Sequence, residues 1–233
     1  MVALALALVL AALLGASAIK SARRAGDQIE VTGSAKKPIR SDYAVWRVSV
    51  AAQAPVLQDA YAEVTRHAQA VRQFLAQNGV ADSAVTVRPV ETSTVNRVTE
   101  SGMTTPEVLG YRLSQTVEVR SADVNGMTAL SERAAALITQ GVPIQASSPE
   151  YLYTKLSDVR TQMLAEATED ARRRAEAVAK SAGAEIGAVR SARQGVFQIT
   201  PRNSTEVSDY GINDVSSLEK DITAVVRVTF AVN

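Results

Sequence analysis

The chain offers few groups that could do chemistry, and their spacing narrows the choice further. His67 is the single histidine, so a multi-histidine metal site cannot form within one chain. A Ser-His-Asp triad would need His67 as its base, and nothing near it resembles a nucleophile elbow. Beside the apolar stripe of a helix, it reads as an ordinary half-exposed helical histidine. The chain has no cysteine, which removes thiolate ligands, nucleophilic thiols and disulfides. Gly33, Gly102 and Gly110 stand alone, so there is no glycine-rich phosphate loop.

Carboxylates and arginines remain. Asp209, Asn213, Asp214, Glu219 and Asp221 lie in or beside one polar segment and have the oxygen chemistry of a Ca²⁺ site. Gly211 is misplaced for an EF-hand, however, and the fixed ligand spacing is missing. Hydrolysis by paired carboxylates would need two acids across a cleft, which no local pattern indicates. Arg172, Arg173 and Arg174 would form a basic docking patch, but Glu169, Asp170 and Glu176 are interleaved with them. Glu169 with Arg173, Asp170 with Arg174, and Glu176 with Lys180 are spaced i,i+4, each pair stabilising a helix by about 0.2–0.5 kcal/mol, as on a solvated helical face. Tyr151 and Tyr153 share a strand face with Lys155, an ordinary use of a sheet surface. The sequence thus assigns no catalytic residue, no cofactor-binding residue and no metal ligand, and it reads as a non-enzyme.

The elements that would position these groups alternate between two periods. Ala44, Trp46, Val48, Val50 and Ala52 alternate with Val45, Arg47, Ser49 and Gln53. Tyr111, Leu113, Val117 and Val119 alternate with Arg112, Ser114, Thr116, Glu118 and Arg120. Ile222, Ala224, Val226, Val228, Phe230 and Val232 repeat the pattern at the C-terminus. This period of two, with one wet face, predicts antiparallel strands. Further strands are expected near 28–34, 85–98, 145–156 and 188–199.

Three helices separate the strands. The first follows Pro55, carries Leu57, Tyr61, Val64, Ala68, Val71 and Leu75 on one stripe, and ends at Asn78-Gly79. The second starts near Ser121 or Asp123, turns Val124, Met127, Leu130, Ala134, Leu137 and Ile138 inward, and stops before Gly141 and Pro143. The third runs from Ser157 to Gly183 with Val159, Met163, Ala167, Ala171, Ala175, Val178 and Ala182 on its narrow face. The order helix, glycine, strand occurs twice. The expected fold class is therefore α+β, two-layered, with antiparallel sheets packed against three helices in split β-α-β-β units. The polar segment from Thr200 to Lys220 is too long for a tight hairpin and interrupts the last strands.

Residues 2–19 carry no charge, and Lys20, Arg23 and Arg24 follow at once. A helix there would span about 27 Å, close to a bilayer core of about 30 Å. The expectation is an N-terminal hydrophobic helix anchoring the protein in the inner membrane, with residues 1–25 as anchor and 26–233 as a periplasmic body. The alternative is a cleaved signal using Ala16-Ser17-Ala18 and releasing the body to the periplasm after Ala18. The basic residues after the span favour a cytoplasmic body by themselves. Over the whole chain, 25 basic residues against 24 acidic ones argue against nucleic acid as a partner.

Ile29-Glu30-Val31-Thr32-Gly33-Ser34-Ala35, Asp42-Tyr43-Ala44-Val45-Trp46, Gly110-Tyr111-Arg112, the Ala-rich stretch 165–187, and Gln194-Gly195-Val196-Phe197 with the loop 203–220 resemble, in order and spacing, the SIMPL-domain family, in its membrane-anchored bacterial branch. The resemblance implies an α+β cell-envelope protein that forms ring-like or channel-like homo-oligomers and serves in stress defence. It supplies no catalytic residues, and nothing in the sequence supports the kinase-adaptor role of the eukaryotic relative. The last loop departs from many relatives in lacking a Pro-Gly lead-in to the final strand. The leading expectation is a membrane-tethered, self-assembling, non-enzymatic protein. The alternatives are a monomeric periplasmic binding or adaptor module for a protein partner or hydrophobic ligand, and a hydrolase.

Overall fold

The computed structural model describes residues 27–233. The apolar segment 2–19, and the helix expected there, lie outside the described residues. Among the described residues no helix is long and apolar enough to cross a membrane. The elements in chain order are β1 (Gln28–Arg40), β2 (Tyr43–Ala54), α1 (Leu57–Gln77), a 3-10 turn (Asp82–Ala84), β3 (Val85–Val87), β4 (Glu91–Val98), β5 (Thr104–Ser121), α2 (Val124–Arg133), α3 (Ala135–Thr139), β6 (Ile144–Ala146), β7 (Glu150–Leu152), α4 (Leu156–Ser181), β8 (Ile186–Gln194), β9 (Gln198–Pro201), β10 (Ile212–Asn213) and β11 (Glu219–Val232). The fold is α+β, with two largely antiparallel sheets.

The chain divides into two compact units. The first comprises residues 27–39, 155–214 and 220–233; its sheet runs β1-β11-β9-β10, with β8 also paired to β11. Here β10 is a short parallel addition to β9, while β8 and β9 run antiparallel to β11. The second unit comprises 40–154 and 215–219; its sheet runs β3-β5-β2-β6, with β4 on β5 and β7 on β2, all antiparallel.

In the first unit, α4 buries Met163, Ala167, Ala171, Ala175 and Ala179. This strict i,i+4 row replaces the expected stripe at its end: Val178 and Ala182 are exposed and Ala179 is buried. The small side chains let the helix backbone approach β1, where a Cβ on Gly33 would lie 2.1 Å from the Ala167 carbonyl oxygen and 2.3 Å from the Ala171 nitrogen. In the second unit, α1 instead packs Val64, Ala68, Val71, Phe74 and Leu75 around Trp46, Val48, Val50, Leu113, Val117 and Val119. Leu57 and Tyr61, expected on that stripe, are exposed; in the first turn it is Ala60 that faces the core, fully buried. Ile138 is likewise exposed, and the second helix is broken at Ala134 into α2 and α3.

Each helical region ends in the same device. Gly79, Gly141 and Gly183 have φ of 81°, 80° and 71°. The amide after each glycine donates to a carbonyl five residues back: Val80 to Leu75, Val142 to Leu137, and Ala184 to Ala179. This is the Schellman closure, and it needs a left-handed residue, which glycine supplies without strain. The strands differ mainly in continuity. The strand expected at 85–98 is two, separated at Pro89, which lacks a ladder donor; that at 145–156 is two short pieces separated around Pro149; and that at 188–199 breaks at Gly195.

Candidate functional site

On the second sheet, Trp46, Val48, Leu113 and Val117 face the helices, so the alternate residues line the opposite face. There Arg47 stands opposite Glu118, and Ser49 opposite Thr116. The two hydroxyls meet at 2.8 Å. Glu118 was expected on a wet strand face, but it is only 1% exposed. Its Oε2 accepts from Arg88 Nη2 at 2.6 Å and from Arg47 Nε at 3.0 Å, and its Oε1 accepts from Arg120 Nε at 2.7 Å. Arg47 also donates from Nη1 to Glu150 at 2.6 Å.

The arginines are 36–53% exposed and form a cationic rim around a buried carboxylate. The Arg88 hydrogen bond, working against burial and joined by those from Arg120 and Arg47, pulls Glu118 from its ordinary 4.5 down to about 2. At neutral pH the group has no proton to give, and a carboxylate so stabilised is a weak base. What the cluster does is mechanical: it ties β2, β5, β7 and the residue just after β3 together on one sheet face. Three guanidiniums face two carboxylates, leaving one positive charge in excess.

His67 is buried rather than half exposed, because α1 presses it against β2. Its Nδ1 lies 3.3 Å from the Ala51 carbonyl oxygen, and Nε2 is 3.9 Å from Glu63. Tyr151 is buried, with its hydroxyl 2.7 Å from that of Thr128. Since β7 ends at Leu152, Tyr153 and Lys155 do not share a strand face with it. On α4, Asp170 pairs with Arg174 at 2.8 Å as expected, while Arg173 turns to Asp170 at 3.4 Å and Glu176 pairs with Arg172. Asp170 also accepts the Ser34 amide of β1 at 3.0 Å. That bond, with the arginines behind it, holds its pKa below the usual range against burial.

The segment from Thr200 to Lys220 does not gather its oxygen ligands. Asp209 is exposed, Glu219 pairs with Arg40 at 3.4 Å, and Asp221 is buried. Asp221 receives the Asn203 amide at 3.0 Å and Lys36 at 2.9 Å. Burial pushes Asp221 up, but the Asn203 amide and Lys36 outweigh it and hold the group low. Asn203 takes a left-handed φ of 63° to make this contact, a conformation asparagine tolerates. Buried Lys220 donates to the Asp214 carbonyl, and burial lowers its pKa. Asn213 belongs to β10, and the Asp214 amide donates to Ile199. No group of three His, Cys, Asp or Glu among the described residues could hold a metal ion.

Sequence reading missed the Glu118 cluster. Its signal was Arg47, Glu118 and Arg120 on outward positions of two strands; Glu118 and Arg120 are i,i+2 neighbours on β5, but only the register of β2 against β5 brings Arg47 to them. Arg88 and Glu150 carry no such periodic signal.

The described residues thus form two mixed helix–sheet units, each built around its own sheet. The chain belongs to the SIMPL family, described as a protein of unknown function (DUF541), which matches residues 29–230. No curated protein matches it significantly. Among solved structures it is similar to a de novo designed protein, Foldit4 (16% identity, 45% of this chain and 93% of that one, TM-score 0.24). It is also similar to a hydantoinase/carbamoylase family amidase from Burkholderia ambifaria (14%, 57% and 35%, 0.26) and to a hydrolase from Listeria innocua (12%, 85% and 91%, 0.21). Likenesses this slight carry no argument about fold or activity.

Proposed function

We propose that this SIMPL protein is a non-enzymatic cell-envelope protein of the membrane-anchored bacterial branch, held in the inner membrane by residues 1–25. In this reading its periplasmic bodies self-assemble into a ring-like or channel-like homo-oligomer that serves in envelope stress defence. The observation that favours assembly is the ribbon formed by the distal parts of β4 and β5. Beyond the Ala54–Tyr111 pair that ends β2, β5 is paired only with β4. On this two-stranded extension Val98, Met103, Val108 and Leu109 are 59%, 66%, 45% and 48% exposed. A two-stranded ribbon is marginal alone, and apolar side chains clustered on one are a natural contact for another protein surface. Tethering in one bilayer would make such lateral contacts effectively intramolecular, so weak ones suffice. The non-enzymatic part rests on a single histidine engaged with a backbone carbonyl and on a carboxylate cluster locked in its ionised form.

The test is the mass of the full-length protein in mild detergent, by light scattering coupled to size exclusion, beside a version starting at Gly26 and a Val108→Lys/Leu109→Lys variant. A large closed oligomer that the double substitution dissociates supports the reading. Loss of the oligomer only without residues 1–25 assigns assembly to the anchor. A monomer at all concentrations ends the proposal.

A further inference from the structure

The two exposed edges of the first unit's sheet are built differently. On β1, the Ser34 amide is taken by Asp170 of α4, and Lys36, Lys37 and Pro38 follow on the same strand. A covered amide, lysines and a proline are the usual means of preventing a strand edge from pairing. On the other side of β11, β8 pairs with β11 alone, and every residue from Ala188 to Gln194 is exposed. It has neither a covered amide nor a proline; its charges are Arg190 and Arg193, and its register is irregular only between Ser191 and Ile186.

Helix α4 explains the asymmetry. Residues on a helix are about 100° apart, so with Ala171 facing the sheet, Asp170 and Arg174 lie on one flank and Thr168 and Arg172 on the other. The first flank covers β1. The second walls a groove beside β8, made of two depressions of about 570 and 380 Å³ that share Arg172 and Ile186. Phe230 and Val189 line its apolar part, and Val189 is 55% exposed. From Ser191 to Gln194 the β8/β11 register is regular, so the strand presents a continuous row of outward backbone donors and acceptors.

We propose that this edge captures an extended acidic peptide segment, which adds to β8 as a further strand with an apolar side chain seated over Val189 and Phe230. Backbone hydrogen bonds would supply affinity and the groove side-chain selectivity, the general logic of strand addition. The charge of the occupant follows from the arginines of β8 and not from the groove, whose lining holds Glu169, Glu176 and Glu185 against Arg172 and Lys180. Arg190 and Arg193 make no ion pair among the described residues, and Arg193 stands opposite Arg227, whose partner is Glu30 at 3.6 Å. Those guanidiniums favour acidic side chains on an incoming strand. They also disfavour a second copy's β8, which would bring two further arginines to the same edge. This inference is independent of self-assembly through the ribbon.

The probe is a fluorescein-labelled nine-residue peptide of alternating valine and glutamate with blocked ends, titrated by anisotropy into the full-length protein in mild detergent. Hydrogen exchange of the β8 amides is followed in parallel. Saturable binding with new protection on β8 is expected. Arg190→Glu/Arg193→Glu, two exposed positions, should weaken it about tenfold, the scale of a few rim charge contacts, with the thermal unfolding midpoint unchanged. A valine–lysine peptide, and a valine–glutamate peptide methylated on alternate backbone nitrogens, should both fail to bind. Equal binding of the methylated peptide would reduce the effect to charge attraction and overturn strand addition. Absence of saturable binding, protection confined to other elements, or equal affinity for the charge-reversed variant would also overturn the proposal.

Discussion

Helix α4 meets its sheet through Met163 and four alanines, whereas α1 meets the other sheet through Val64, Val71, Phe74 and Leu75 around Trp46. The chain order is alike in both: a long helix, a left-handed glycine, then a strand. The materials are opposite. Large side chains in the second unit gain about 1.5–3 kcal/mol each from burial. Alanines gain far less individually, but they allow helix backbone to touch strand backbone at Gly33. One layer therefore fails when atoms are added, and the other when they are removed.

The largest effect should come from Gly33→Val. Even the first added carbon would sit 2.1 Å from a helix carbonyl oxygen and 2.3 Å from a helix nitrogen. Since backbone cannot swing aside as a side chain does, the loss should pass the usual 1–3 kcal/mol of overpacking and reach about 4 kcal/mol. Urea unfolding measures it, and a midpoint within error of the parent would show that α4 can lift from β1 without penalty. The matching change in the other layer is Leu75→Ala, which empties a fully buried site. It should cost about 3 kcal/mol, whereas Ala171→Gly in α4 should cost only about 1 kcal/mol, chiefly helix propensity. Equal losses at the two positions would erase the contrast.

The carboxylates sharpen the comparison by pH. Glu118→Gln should destabilise the protein by about 2 kcal/mol at pH 7, since three guanidiniums lose their shared charged acceptor. Folding lowers this pKa, so the unfolded chain binds more protons in the acid range. The contribution is therefore full above about 4.5 and disappears as pH falls toward about 2. Urea midpoints of parent and variant should converge between pH 5 and about 2, and a constant gap would mean that the glutamate acts through packing alone. The smallest effect is expected for Asp170→Ala, about 1 kcal/mol. It removes the Ser34 amide acceptor, so the informative readout is faster hydrogen exchange at Ser34. Unchanged exchange there would show that Asp170 does not close the β1 edge.

Much of this was legible in the residues. Alternation placed the cores of β2, β5 and β11, and the glycines after α1, α3 and α4 marked left-handed closures. Leu57, Tyr61 and Ile138 misled because an apolar stripe does not say which of its residues the partner layer covers: in α1 the buried row starts at Ala60, between the two exposed residues. Val178 and Ala182 gave way to Ala179 because small side chains pack along an i,i+4 row, while the general apolar pattern averages three and four. His67 was read as half exposed for a similar reason: its depth depends on how closely α1 lies on β2.

Local physics, then, was fixed by sequence alone: which segments alternate with period two or 3.6, where glycine must end a helix, and which chemistries lack their atoms. Tertiary structure decided what depends on distant pairing. Arg47 and Arg88 reach Glu118, and Glu150 reaches Arg47, only through strand pairing. Asp170 finds Ser34 across 136 positions of chain. The open edge of β8 exists only because α4 covers one side of its sheet and leaves the other free. Charges and hydrogen bonds act over a few ångströms, so their partners are set by which strands become neighbours, and no local pattern records that choice.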